Sequence, residues 1–383
     1  MKINALSTSG YPPQYSPMSH RLHCYMLALK EEGNDVKVFF FSNESLKGEY
    51  EGIPYESIEF DYKNYFIFPR SYLKLFRNAL YSIIREADVF FHSEDRISTI
   101  LSIQKVAQEL NVRTVIELNE FPYSFKSSRR QIRFLQFIRY KFFFKYVLPK
   151  VGGVIAISKN LHELAKKYHN EVIRVPILTK HLVIKRTPSA VKIPYILHAG
   201  ALSENKDGIK AIVEAYNIAQ RELNGNLNLV FTVKNGLPSL IVWLEEYTKK
   251  NNLQGKIIFK GIVEKEELDR LYNDCLLAII NKPSNLQNNH NFPTKLTELL
   301  PRKIPVIVSN TGELNYYFEN KVNAIVVEAN NINKISEGIL QIATDKNLAD
   351  KISSNGLTLS QNKFYYRNYS RLLSSFFNKK LIN

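Results

Sequence analysis

Residues 290–310 read HNFPTKLTELLPRKIPVIVSN, and their order decides the fold. A turn-rich lead over 282–289 runs into a helix start, with Asn291 placed to cap it and Pro293 in its first turn. Lys295 and Glu298, spaced i, i+3, share one face of that helix. The apolar run 304–308 then reads as a short strand. A helix start attracts phosphate, because its first amide N–H groups lack partners and its dipole is positive there. Lys295 adds charge, and Glu298 one turn on can accept hydrogen bonds from sugar hydroxyls. The stretch reads as a site for a nucleoside diphosphate or a nucleotide sugar. The bland alternative is a surface ion pair worth only about 0.2–0.5 kcal/mol.

Working outward, strands and helices alternate. Strands are expected over 2–6, 36–41, 88–92, 114–118 and 153–157, with helices over 19–32, 96–110 and 159–168. Three prolines, Pro176, Pro188 and Pro194, bracket a basic linker over 175–193. A second run follows, with strands over 195–199, 227–233, 256–260, 276–280, 304–308 and 324–327, a helix over 209–223 and a final helix over 364–377. Such alternation predicts parallel α/β sheets, and 383 residues suit two domains. The loop at 199–208 (AGALSENKDG) follows a strand and opens a helix, so Gly200 permits close backbone approach and Lys206 can meet a phosphate. Glu117 and Glu120 close another strand with opposite parity, so one of them faces a ligand crevice, and Glu120 is the choice.

HNFPTKLTE followed by KIPVIVSNTGELNYYFENKVNAIVV resembles the C-terminal domain of retaining glycosyltransferases of family 4. The hallmark there is two acids eight positions apart, then a GKPVI strand. Glu298 stands at the second acid, and His290 replaces the first. In the Gly200 loop, Gly200, Leu202 and Lys206 match the family pattern, and Ala201 stands where arginine is usual. The resemblance implies a GT-B fold: two Rossmann-like, doubly wound domains facing a cleft, with a C-terminal helix returning to the N-terminal domain. Acceptor binding is then expected over 1–180, nucleotide-sugar binding over 190–358, and the returning helix over 359–383. The implied donor-binding residues are Gly200, Lys206, Asn291, Phe292, Thr294, Lys295 and Glu298. Ser16, Arg21 and Asn119 fall on the acceptor side, and Glu120 and His290 near the reacting groups. A nucleotide diphosphate sugar is the expected donor, its sugar transferred with retention to a hydroxyl of a saccharide linked to a lipid such as a polyprenyl diphosphate, with no metal and no cofactor.

The net charge of +16 calls for an anionic partner. No acid occurs over 121–162, where basic residues alternate with aromatic ones. On a helical wheel Ile132, Leu135, Ile138, Phe142, Phe143 and Tyr146 form an apolar arc, with Arg129, Arg130, Arg133, Lys141 and Lys145 opposite. This segment is expected to meet an anionic membrane surface. The setting expected from it is cytoplasmic and peripheral, at the inner face of a bacterial membrane where surface polysaccharide is assembled. Cys24 and Cys275 lie far apart, as in a reduced compartment. No signal peptide or membrane-spanning run is read. His20, His23 and Cys24 within one helical turn are too few for a metal site. The absence of a D-x-D pair, a P-loop and G-x-G-x-x-G after the first strand argues against metal-dependent transfer, P-loop hydrolysis and dinucleotide chemistry. Two rivals are a nucleotide-sugar epimerase of the same fold and a basic nucleic-acid-binding protein. The latter lacks a recognisable reading module, so no nucleic acid is expected.

Overall fold

The computed structural model describes residues 1–13, 16–60, 70–121, 130–187, 192–200, 202–232 and 236–379. The chain divides into two compact units, Met1–Lys180 with Tyr366–Asn383, and His181–Tyr365. Pro188 and Ala201 lie outside the described residues.

The first unit holds strands β1 (Lys2–Ser7), β2 (Asp35–Ser42), β3 (Lys47–Tyr50), β4 (Ile53–Glu59), β5 (Val89–His92), β6 (Arg113–Leu118), β7 (Gly153–Ala156) and β8 (Val172–Arg174). They form one sheet in the order β3-β4-β2-β1-β5-β6-β7-β8. All its neighbours run parallel except β3 and β4. The second unit holds β9 (Tyr195–His198), β10 (Asn228–Phe231), β11 (Ile257–Phe259), β12 (Leu277–Ile280), β13 (Val306–Ser309) and β14 (Ile325–Val327), all parallel in the order β11-β10-β9-β12-β13-β14. Runs such as YILH, LAII and VIVS are buried along their length, as parallel strands covered on both faces must be. Each sheet winds out from its first strand and then reverses, giving a switch point at β1/β5 and another at β9/β12. Ligands of such sheets bind beyond the strand C-termini at these points.

The alternating strands lie close to their expected places, with instructive shifts. β13 begins at Val306 because Pro305 has no N–H for the ladder; its carbonyl still accepts from Ala278 N at 3.0 Å. The expected final helix is broken. A 3-10 turn spans Tyr366–Tyr369, and the helix proper is Ser370–Phe377. Phe364 stays in the second unit, buried against Phe292 and Tyr317. The hairpin β3–β4 and the helix Arg70–Ile84 were not anticipated.

Helix Ser370–Phe377 packs against helix Pro17–Glu31 in the first unit. Its last turn would leave carbonyls without partners. Arg113 Nη1 donates to Phe376 O at 2.6 Å and Phe377 O at 3.0 Å, while Nη2 donates to Gly152 O at 2.9 Å. A Cβ on Gly153 would lie 2.7 Å from Phe376 Cζ, so the bare strand makes room for that ring.

His92 ends β5, fully buried, with Nδ1 accepting from Glu94 N at 3.4 Å. Burial pushes its pKa down to about 3. The unfolded imidazole titrates near 6.5. Unfolding therefore takes up a proton between those values, and this contribution to stability, complete above about pH 6.5, is lost as pH falls toward 3. His92→Phe is expected to flatten that acid-side loss. Urea midpoints of both proteins at neutral and mildly acid pH give the comparison, and parallel curves would refute it.

Candidate donor site in the second unit

The loops after β9 and β12 meet at the switch point of the second sheet, and side-chain amides hold them together. Ser203 Oγ accepts from Lys206 N at 3.1 Å and caps a one-turn helix, Glu204–Asp207, which Gly208 ends in the left-handed region at φ 54°. Asn288 Nδ2 donates to the carbonyls of Asn205 (3.1 Å), Lys206 (3.3 Å) and Pro283 (2.8 Å). Asn281 Nδ2 donates to Gly208 O at 3.2 Å, and Lys282 pairs with Asp207 at 2.6 Å. A Cβ at Gly208 would collide with Asn330 and Asn281. Gly208→Ala is thus expected to destabilise the second unit by about 1–3 kcal/mol, the range for a left-handed non-glycine residue. A chemical melt of the variant tests this, and an unchanged midpoint would show that the loop relaxes at no loss.

Gly200 has φ +123° and donates its N–H to Thr232 Oγ1 at 2.9 Å. Lys295 Cε lies 3.7 Å from where a Cβ on Gly200 would stand, so the lysine from one loop passes over the glycine of the other. Lys295 Nζ is 3.7 Å from Glu298 Oε1, and both side chains are about one-third exposed (31% and 35%). The other carboxylate oxygen, Oε2, accepts from the buried Tyr272 hydroxyl. Burial, reinforced by Glu298, holds the Tyr272 phenol well above its usual range, so it remains a donor. Arg302 sits over the Tyr272 ring at 5.0 Å, donates to Glu298 O at 2.8 Å and pairs with Asp269. Glu298 is fixed in place with acceptor capacity remaining, since a carboxylate has about four lone-pair sites. The arrangement can hold an anion over a glycine backbone and a vicinal diol beside it.

The structure changes other parts of the expectation. Asn291 does not cap a helix start. It is the extended C-terminal cap of helix Leu286–His290, which Asn285 caps at its start. The helix holding Glu298 is a single turn, Leu296–Leu299, because Pro293 and Thr294 form preceding turns that hand over to it. Phe292 is buried, stacked on Tyr317 at 5.2 Å, so its ring belongs to the core rather than to a ligand. Thr294 contributes its carbonyl, which accepts from Thr297 Oγ1 at 2.7 Å. His290 Nδ1 lies 2.8 Å from Leu286 O and must donate to it, leaving Nε2 as an acceptor. Burial lowers its pKa, so the ring is neutral at pH 7.

In the first unit, Ser16 accepts from Ser19 N at 3.4 Å as the N-cap of helix Pro17–Glu31. Arg21, expected on the acceptor side, is instead buried, with its guanidinium on Glu117, on Tyr25 OH at 2.7 Å and on Val175 O at 3.3 Å. Glu117, within β6, is therefore a core partner, and Glu120, beyond its end, is the exposed acid. Asn119 is half-buried, with Nδ2 lacking a hydrogen-bond partner. Among the described residues, no group of three or more His, Cys, Asp or Glu could hold a metal ion, and no helix is long and apolar enough to cross a membrane. Sequence reasoning missed Tyr272, Thr232 and Asn281, which lie far in sequence from the groups they hold, and Asn288, whose amide bonds across to Asn205 and Lys206.

Residues 181–358 match the family described as Glycosyl transferases group 1. The protein is a glycosyltransferase. The fold of this glycosyltransferase is GT-B, as in solved structures of low sequence identity. Sucrose-phosphate synthase from Thermosynechococcus elongatus is 16% identical with TM-score 0.73, covering 98% of each chain. HepE from Anabaena, in complex with UDP and glucose, is 15% identical with TM-score 0.70, again over 98% of each chain. The lipopolysaccharide outer core galactosyltransferase WaaB, in its apo form, is 13% identical with TM-score 0.64, over 98% of this chain and 99% of that one. None of the curated proteins matches in sequence.

Proposed function

We propose that this glycosyltransferase moves a sugar from a nucleotide diphosphate sugar to a hydroxyl of a saccharide acceptor, with retention at the anomeric carbon. One observation carries the donor half: Lys295 crosses Gly200 while Glu298, held by Tyr272, stands one turn away. The diphosphate lies over the Gly200 loop between Lys206 and Lys295, and Glu298 accepts from the ribose diol. As the glycosidic bond breaks, charge grows on the leaving diphosphate, and both lysines stabilise it most in the transition state. The neutral His290 accepts from a donor-sugar hydroxyl. The leaving phosphate takes the acceptor proton, so no protein base is required. On the first unit, Asn119 and Glu120, beyond the end of β6, are the residues proposed to bind the acceptor.

The complex of HepE with UDP and glucose supports a nucleotide-sugar donor. The named activity of WaaB supports a saccharide acceptor in surface polysaccharide assembly. A polyprenyl-diphosphate-linked saccharide, met at the inner face of a bacterial membrane, is the proposed acceptor. The test is calorimetric titration with UDP-, GDP- and other nucleotide sugars, followed by assay of nucleotide release. Tight binding and turnover of one donor is the expected result. Anomeric proton signals of the product then report retention. No binding of any donor would overturn the reading.

A further inference from the structure

An amphipathic helix in the first unit is turned apolar side out. Helix Arg130–Phe142 continues into a π turn, Phe143–Val147. Within the π turn Phe143, Phe144 and Val147 pack inward. The apolar arc read from sequence therefore splits: Ile132 lies outside the described side chains, and Leu135, Ile138, Phe142 and Tyr146 part from Phe143. Phe143 goes to the core, and the other four face solvent. Phe134 and Phe137 join them, with Phe134 62% exposed and Leu135 59%. Lys141 and Lys145 rise through this surface, with their ammonium groups 5.5 Å from the Phe137 ring centroid and 5.2 Å from that of Tyr146. Arg139 and Lys150 are also exposed, and the sequence has no acid over 121–162.

We infer that this face docks on an anionic phospholipid bilayer, with the helix axis in the plane of the surface. The chemistry selects that occupant. Aliphatic and aromatic side chains lie together, so the surface gains from entering an apolar boundary, while lysine stems reach alongside and place their charge at headgroup level. A second copy of the chain would set positive charge against positive charge at a self-complementary contact. A nucleic acid would use the cations but leave Leu135 and Ile138 against water, since bases stack on rings. The inference goes beyond the proposed transfer reaction and needs no donor, so its failure and the failure of that reaction separate cleanly.

Flotation of the full chain with vesicles provides the test. Vesicles of phosphatidylcholine alone are compared with vesicles one-third phosphatidylglycerol, at low and high salt. Binding is expected to the anionic vesicles and to weaken with salt. Lys141→Ala with Lys145→Ala should lower the partition about 30-fold, at roughly fivefold for each basic residue near such a surface. Phe134→Ser with Phe142→Ser should also abolish flotation with all charges kept. Both variants change exposed positions and should melt like the parent, which separates lost docking from lost folding. Equal flotation of parent and variants would overturn the inference. So would a dimer that the serine variants dissociate, or retention of nucleic acid without vesicle binding.

Discussion

Replacing Glu298 by alanine lowers kcat/KM with the nucleotide sugar by about 10²–10³-fold. In the proposed donor complex the carboxylate accepts two charge-assisted hydrogen bonds from the ribose, each contributing roughly 1.5–2 kcal/mol. Their sum of about 3–4 kcal/mol converts at one decade per 1.36 kcal/mol. In that complex the ribose lies away from the breaking bond and would be held equally in the ground and transition states. Most of the loss should therefore appear as a rise in KM. Tyr272→Phe removes only the group that orients Glu298 from below and should have a smaller effect in the same direction. Steady-state kinetics on all three proteins with the donor found by calorimetry decide the matter. A fall below about fivefold for Glu298→Ala would sink the ribose assignment. A large fall confined to kcat would move Glu298 to the reacting centre.

Glu117→Ala destabilises the first unit by about 3–5 kcal/mol, the usual result of breaking a buried ion pair from one side. The Arg21 and Glu117 side chains are 3% and 0% exposed. Tyr25 OH donates to the same carboxylate oxygen at 2.8 Å, so the variant strands a guanidinium and a phenol together. Removing both charges differs from removing one. Arg21→Met with Glu117→Leu fills the space with apolar groups and should recover most of the loss, because the desolvation penalty goes with the charges. Urea melts of the single and double variants, followed by limited proteolysis within the first unit, give the numbers. A loss under 1 kcal/mol for Glu117→Ala would mean that Arg21 finds another partner or water.

The fold was legible because parallel strands buried on both faces announce themselves as apolar runs. Both turns of the β9 loop, at Gly200 and Gly208, were legible as glycines, and the structure gives both positive φ. What the sequence withheld is tertiary. Nothing local marks Tyr272 as the partner of Glu298, 26 residues on, or Glu117 as the partner of Arg21 rather than a ligand contact. Phe292 looked like a site residue because its neighbours are, yet its ring fills the core between Tyr317 and Phe364. The helix Arg130–Phe142 was legible as amphipathic and was read as facing outward; that Phe143 leaves its arc for the core was not legible. An apolar arc reads the same whether it faces a core or solvent, and only the fold separates the inward Phe143, Phe144 and Val147 from the exposed Leu135 and Ile138.

The two crossings of the chain between units have a consequence for synthesis. A ribosome delivers Tyr366–Phe377 only after every residue of His181–Tyr365. The second unit is one unbroken stretch and can close as it emerges. The first waits. Until its last helix arrives, helix Pro17–Glu31 and the strand at Gly153 lack the cover that Phe376 and Phe377 provide. The half that is translated first is finished last, and in the interval it is the half most exposed to aggregation. A premature stop just before Tyr366 would thus be felt at the opposite end of the gene, in the unit whose message had been read long before.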